Sequence, residues 1–322
     1  MHTIQRNLSA YRDEIKGIAI LWVIFFHAQL GLTGVLNAVQ QIGYGGVDMF
    51  LFLSGYGLYH SLKKDADPAR YLARRAKRLL PSYVPFCLIW LIVMIPLHGG
   101  GMATSIRIAA GNLTMLGFFA GVPLMINWYV SALALTLLLA PLMHAHLKAH
   151  RGFGMLAGLF VLGLAFVGDD RYMAVSRLPV FALGMMFARP CEKERRGISA
   201  LMAAGCLLGL AALYVCFARF HELLNDYAMY WHPFVLIAPA LCAGLGWLFA
   251  KAPTKLLAPL RVLGSASFEI FLFNVWLEVL GKKHGLCESP IDWVIGSIAA
   301  LALGLAWHFA VSAVMRKSCK NG

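Results

Sequence analysis

The run KGIAILWVIFFHAQ, residues 16–29, decides the class of this chain, because apolar side chains follow one another without a break from Ile18 to Phe26. Outward from it, similar stretches recur as far as Val314. Of the 322 residues, 60% are hydrophobic and 13% are charged, whereas a soluble domain carries about 25% charged residues. A soluble fold cannot bury so much apolar surface. The sequence therefore predicts a single integral membrane domain over residues 1–322.

The apolar stretches predict an all-α fold, a polytopic membrane helix bundle with about ten transmembrane helices. The expected spans lie at residues 17–35, 43–62, 79–98, 126–145, 153–168, 173–188, 198–217, 232–250, 263–281 and 291–314. The apolar segment 112–124 is too short to cross, and Gly121 and Pro123 favour a re-entrant or interfacial piece. We find no clear internal repeat, which counts against a secondary transporter.

The net charge of +13 indicates membrane topology and not nucleic-acid binding, because the basic residues cluster in short loops between apolar stretches. If the N-terminus is cytoplasmic, 22 of the 28 Lys and Arg residues fall on the cytoplasmic side. This bias favours an even number of spans with both the N- and C-termini cytoplasmic. The seven cysteines include no CxxC pair and lie mostly in apolar stretches, so we predict neither a disulfide framework nor a metal site.

His27 is the first ionisable side chain at membrane depth, where such groups are costly and call for an explanation. It follows Lys16 by eleven residues, which on a helix is roughly 16 Å along the axis and about 20° around it. Both side chains therefore share one helix face. Histidine can take and return a proton near neutral pH, as a catalytic base must. The alternative is a buried histidine that only bonds a neighbouring helix.

Asp48 lies in GYGGVDMFLFLSGYGLYHSL, residues 43–62, as a lone carboxylate within an apolar span flanked by glycines. Glycine allows a second backbone or a ligand to approach closely. Asp48 could orient an imidazolium or hold an acceptor hydroxyl. Equally, it could be a carboxylate at the start of a helix, where negative charge is favourable.

Arg75 and Arg78 fall on one helix face in RYLARRAKRLLPSY, residues 70–83. Guanidinium groups suit phosphates because they form paired hydrogen bonds. The alternative is a cationic loop that sets topology or contacts anionic lipid. Because proline is tolerated early in a helix, Pro81 predicts that a helix begins nearby.

The run from Arg12 to His27, the motif GYGGVDMFLFLSGY and the motif RYLARRAKRLLPSY, in that order and spacing, resemble acyltransferase family 3. This family comprises membrane-bound acyltransferases that O-acylate surface and secreted glycans. Weaker similarity continues through NWYVSALAL from Asn127, RLPVFALGMMFAR from Arg177 and GSASFEIFLFNVWL from Gly264. The resemblance covers essentially the whole membrane domain.

The resemblance implies a ten-helix enzyme that moves an acyl group, commonly acetyl, from cytoplasmic acyl-CoA to a hydroxyl of an extracytoplasmic polysaccharide or glycolipid. It implies that His27 is the catalytic base and that Arg75 and Arg78 contact the CoA donor. Lys16 stands where the family has an arginine, which keeps the charge but loses the planar fork. Asn274 stands where many members have a histidine, so we assign it no catalytic role.

The expected catalytic residues are thus His27 and Asp48, with Lys16, Arg75 and Arg78 binding acyl-CoA. Glu269, in the ninth expected span, is a further candidate whose alternative role is helix packing. The expected partners are acyl-CoA as co-substrate, a glycan or glycolipid acceptor and the lipid bilayer, with no nucleic acid, bound cofactor or metal. The resemblance favours the bacterial inner membrane.

The residues alone leave two other classes of membrane protein open. A proton-coupled transporter or flippase would use His27, Asp48 and Glu269 as a proton relay, and the basic loop would only set topology. A non-catalytic membrane scaffold would need none of these side chains.

Overall fold

The structure is a computed structural model that describes residues 3–189, 198–219, 232–283, 285 and 287–318. All regular secondary structure in these ranges is helical, which confirms the all-α prediction. The helices of the first half are α1 Thr3–Ala10, α2 Arg12–His27, α3 Gly34–Gln41, α4 Gly45–Lys64, α5 Pro68–His98, α6 Met102–Leu113 and α7 Trp128–Lys148. Those of the second half are α8 Gly152–Leu164, α9 Tyr172–Val175, α10 Leu178–Phe187, α11 Ile198–Arg219, α12 Phe234–Phe249, α13 Thr254–Ser265, α14 Ser267–Lys283 and α15 Pro290–Ser318.

Four helices in the described part of the chain, α5, α7, α11 and α15, are long and apolar enough to cross a membrane. The pair α13 and α14, bent by 64° at their junction, would make a fifth span if it crosses as one unit. Helices α8 and α12 are apolar but shorter. The chain is therefore a membrane protein, and the expected number of ten spans stays a prediction.

Helix α5 corrects the prediction that a helix begins near Pro81. It runs without interruption from Pro68 to His98 and contains Pro81, Pro85 and Pro96 in its interior. Its true start is set by Asp67, whose side chain accepts a hydrogen bond from the Arg70 backbone N–H at 2.7 Å, and by Pro68 in the first turn. Proline is tolerated inside membrane helices because neighbouring groups satisfy the freed carbonyls.

Two glycine-mediated crossings position the helices that carry the candidate site. Where α4 crosses α10, a Cβ on Gly184 would overlap the backbone carbonyl of Phe52, and one on Gly55 would overlap that of Phe181. Where α2 crosses α13, a Cβ on Gly264 would overlap the Asp13 carbonyl. Close backbone approach of this kind is how membrane helices gain packing energy without a hydrophobic driving force. It holds α2 and α4 at the centre of the buried core.

Candidate active site

A cavity of about 790 Å³ opens beside the N-terminal half of α2, and its wall is strongly cationic. Lys16 from one sequence motif and Arg75 and Arg78 from another all line it. Within the described part of the chain, the Lys and Arg side chains in its lining are Arg12, Lys16, Lys64, Arg75, Lys77, Arg78 and Arg316. A cavity of this size and charge suits an elongated ligand that carries phosphates.

The arginines of α5 divide into two groups according to what they contact. Arg70 and Arg74 bind Asp65 at 3.2 and 2.6 Å, and the hydrogen bond from Arg74 holds the pKa of Asp65 below its ordinary value. They fasten the turn that leads into the helix. Arg75 instead donates to Ser61 Oγ at 2.7 Å and lines the cavity. Arg70 and Arg74 therefore support the turn, whereas Arg75 faces the cavity.

Arg12 is a cavity residue that the sequence prediction did not include. It precedes Lys16 by four residues, so both side chains lie on one face of α2. The Lys16 ammonium lies 3.0 Å from Asp13 Oδ1. The Arg12 Nε is buried without a hydrogen-bond partner among the described residues. Helical phase, applied backwards from Lys16, is the signal that would have found Arg12.

Glu269 is the single carboxylate in the cavity lining within the described part of the chain. It is buried, and its Oε1 accepts a hydrogen bond from Ser82 Oγ at 2.6 Å. Its Oε2 lies 3.3 Å from His308 Nδ1. Ser82 and His308 also line the cavity, so these three side chains join α5, α14 and α15 in one wall. Glu269 thus packs between helices and also faces the cavity, and a functional role for it stays a prediction.

His27 ends α2, and its ring contacts a carboxylate that the sequence prediction overlooked. Its Nε2 lies 3.2 Å from Glu278 Oε2, while its Nδ1 lies 2.8 Å from the Val23 carbonyl oxygen. The Asn274 side-chain amide lies 3.2 Å from the same Nδ1. Asn274 and Glu278 are four residues apart on α14 and therefore share the face that meets His27. Helical phase, counted forward from Asn274, is the sequence signal that would have found Glu278.

The contact between His27 and Glu278 places a carboxylate beside an imidazole that could take up a proton. A proton accepted by the imidazole creates a positive charge, which an adjacent carboxylate stabilises and holds in one orientation. The side chains are 16% and 26% exposed, so a reactant can reach them. The described residues contain no group of three His, Cys, Asp or Glu side chains that could hold a metal ion.

Asp48 lies apart from this pair and is engaged by Arg177. Arg177 Nε lies 3.4 Å from Asp48 Oδ1, and both side chains are 2% exposed. The guanidinium also lies 4.5 Å above the Trp128 ring and donates to the Met173 carbonyl oxygen at 2.7 Å. Among the described residues the carboxylate beside His27 is Glu278. A catalytic role for Asp48 stays a prediction.

Three aromatic rings in contact with one another form part of the cavity lining. Tyr129 lies with its ring centroid 4.7 Å from that of Phe271 and 6.5 Å from that of Phe50, and all three line the cavity. Neither His27 nor Glu278 belongs to the lining. Phe271 precedes Asn274 by less than one helical turn. Phe271 therefore brings the cavity wall onto the same helix, α14, that carries Asn274 and Glu278.

Comparison with known proteins gave one family match and a partial match to a relative. The model of acyltransferase family 3, described as an acyltransferase domain, matches residues 10–314. A protein of Acidianus two-tailed virus named "Putative acetyltransferase ORF330" is 34% identical over 82 residues, which is 25% of this chain and 24% of the viral protein. The chain thus spans about a quarter of that relative's length. No solved structure matches the chain.

Proposed function

Because this chain belongs to acyltransferase family 3, we propose that it transfers an acetyl group from cytoplasmic acetyl-CoA to a hydroxyl of an extracytoplasmic polysaccharide or glycolipid. Family membership supports an acyltransferase over the transporter and scaffold alternatives. The donor, the acceptor and a location in the bacterial inner membrane belong to the proposal.

The observation that carries the proposal is the convergence of Lys16, Arg75 and Arg78 on one cavity. These cations come from two helices, and seven Lys and Arg side chains line a volume of about 790 Å³. The phosphates of CoA are the part of an acyl donor that such a wall recognises. All seven cations lie in segments that the charge bias predicts to be cytoplasmic, where acetyl-CoA is made available.

The histidine end of α2 supports the chemical step. In our proposal the His27 imidazole accepts the proton of the acceptor hydroxyl as the hydroxyl oxygen attacks the thioester carbonyl. The C–S bond then breaks, and the CoA thiolate leaves and recovers the proton from the imidazolium. Glu278 stabilises the imidazolium, and the Val23 carbonyl oxygen fixes the ring by accepting a hydrogen bond from Nδ1–H.

Arg12 offers an explanation for the presence of a lysine at position 16, where the family has an arginine. The lysine cannot form the paired hydrogen bonds of a guanidinium. Arg12 brings a guanidinium to the same cavity, one helical turn earlier on the same face. We therefore assign to Arg12 a paired phosphate contact that Lys16 cannot make.

Binding of radiolabelled acetyl-CoA to the purified protein tests the donor site directly. The double substitution Arg75→Ala plus Arg78→Ala should raise the Kd at least about tenfold, because hydrogen bonds to charged groups contribute about 1.5–3 kcal/mol each.

The matched control is Arg70→Ala plus Arg74→Ala, which removes the same charge from the same helix outside the cavity lining. We expect this control to keep nearly the affinity of the wild type. Equal affinities for the two double variants would contradict the donor site, as would an absence of acetyl-CoA binding to the wild type.

A further inference from the structure

A second cavity, of about 870 Å³, lies between two loops that the donor site does not use. One wall is formed by Phe118, Phe119 and the following residues up to Met125, and the other by the turn Gly168–Asp169–Asp170–Arg171. We call this cavity the loop groove. Its volume falls within the range of roughly 300–1,000 Å³ that is usual for ligand sites.

The first wall of the loop groove packs against the helix that carries Asn274 and Glu278. Val122 and Ile126 share an apolar cluster with Leu272 of α14, against which Phe273 and Trp276 also pack. The loop groove therefore rests on the segment of α14 that faces His27.

The second wall of the loop groove packs against the end of α2. Phe166 and Tyr172, which flank the acidic turn, share an apolar cluster with Phe26 and Tyr44. Phe26 is the neighbour of His27, and the two rings lie 5.1 Å apart. Both walls thus connect to the histidine end of the bundle, away from the cations of the donor cavity.

The 118–125 loop is held in a defined shape, as a binding surface must be. Arg107 donates to the carbonyl oxygens of Ala120 and Gly121 at 3.0 and 3.1 Å. The Asn112 side chain donates to the Leu124 carbonyl oxygen and accepts from the Ile126 N–H. These bonds fix a loop in which Gly121 and Leu124 have positive φ values.

The acidic turn is also organised by its own side chains. Arg171 donates to both carboxylate oxygens of Asp169, at 2.8 and 2.6 Å, and this bond lowers the pKa of Asp169 to about 2. The Asp170 carboxylate is exposed and has no hydrogen-bond or ion-pair partner among the described residues. The turn therefore presents an available acceptor, Asp170, beside a fixed guanidinium.

From this juxtaposition we propose that the loop groove binds a sugar ring of the acceptor, with Phe118 or Phe119 against its C–H face and Asp170 and Arg171 bonded to its hydroxyls. Half-buried aromatic rings provide apolar contact area at small entropic cost. A carboxylate accepts and a guanidinium donates, so together they match hydroxyl groups, which do both. The proposal rests on the proposed function, since it supplies that reaction with its acceptor.

Saturation-transfer NMR on the purified full chain tests the proposal without depending on catalysis. The probes are the methyl β-glycosides of glucose, galactose and N-acetylglucosamine. At least one should receive saturation on its ring C–H protons, and Phe118→Ala plus Phe119→Ala should abolish that signal. Asp170→Asn is a milder second variant that should weaken it.

Phe153→Ala is the matched control, because Phe153 is 82% exposed and lies outside both cavities. It should leave the saturation signal unchanged. The proposal is overturned if no glycoside receives saturation from the wild type, or if the signal survives in folded loop-groove variants. Either result leaves acetyl-CoA binding intact, so it can be told apart from failure of the donor site.

Discussion

At the scale of residues, the proposed chemistry depends on side chains that different helices bring together. His27 and Glu278 are separated by most of the chain, yet their reactive atoms lie 3.2 Å apart. The pair also lies outside the cavity that holds Lys16 and Arg75, although the phase of α2 aligns Lys16 with His27. Helical phase can be read from the sequence because it is local. The partner on another helix cannot, because it depends on how α2 and α14 pack.

The role of Glu278 can be isolated by a substitution that preserves its shape. Glu278→Gln keeps the size of the side chain but removes the negative charge that stabilises imidazolium. We expect kcat for acetyl transfer to fall about 100-fold, at the lower end of the range for general-base catalysis. The Kd for acetyl-CoA should not change.

Steady-state kinetics with Glu288→Gln as the control checks this prediction, since Glu288 is an exposed carboxylate beyond the end of α14. A kcat for Glu278→Gln equal to that of the control would show that the carboxylate does not assist His27.

Arg12 gives a second prediction at this scale, for the donor. Arg12→Ala should raise the Kd for acetyl-CoA about tenfold, and Arg12→Lys should restore only part of the affinity because lysine lacks the planar fork. Arg6→Ala is the control, since Arg6 is exposed on α1 and does not line the cavity. If Arg12→Lys bound as tightly as the wild type, charge alone would account for the contact.

At the scale of elements, close helix crossings decide whether the site assembles. The crossing of α4 and α10 places the start of α4, with Asp48, against Arg177 just before α10. The sequence predicted the extent of α4 well, because its apolar span is long. It placed the start of α5 too late, because a proline is more often at a helix boundary than in its interior. Only packing reveals that α5 continues through Pro81.

The α4–α10 crossing predicts a strong effect of a single side chain. Gly184→Val would force Cβ into the Phe52 carbonyl, which should cost about 1–3 kcal/mol or more of folding free energy. Gly158→Val on α8 is the matched control, because nothing lies within 4 Å of a Cβ built there. Thermal unfolding followed by fluorescence-detected size exclusion compares the two variants. Equal midpoints would mean that the helices do not cross so closely.

At the scale of the whole molecule, the composition predicts membrane insertion. The cavity gives a functional reason why Lys and Arg residues accumulate on one side of the membrane. Cations that the positive-inside rule assigns to one side meet around one cavity. The number of spans is harder to predict, because α8 and α12 are shorter than a bilayer requires and α13 and α14 are sharply bent. Such broken or short helices arise where helices pack around a site, and a hydropathy window does not detect packing.

The same charge bias predicts the orientation of the protein in the membrane. Cysteines introduced at two exposed alanines can measure this orientation. Ala149 follows α7 and Ala165 follows α8, and both are exposed at opposite ends of this helical pair. In a cysteine-free background, Ala165→Cys in intact cells should react with a membrane-impermeant maleimide, and Ala149→Cys should react only after permeabilisation. The reverse pattern would place the cationic cavity outside the cytoplasm, where it could not meet acetyl-CoA.

The central claim is that His27 is the base in acetyl transfer, and transfer from labelled acetyl-CoA to the glycan fraction of membranes tests it most directly. His27→Ala should lower the rate by about 10²–10⁴-fold while acetyl-CoA binding persists. The control is His146→Ala, a histidine that lies outside the donor cavity and the loop groove. Equal labelling by His27→Ala, His146→Ala and the wild type would contradict the claim.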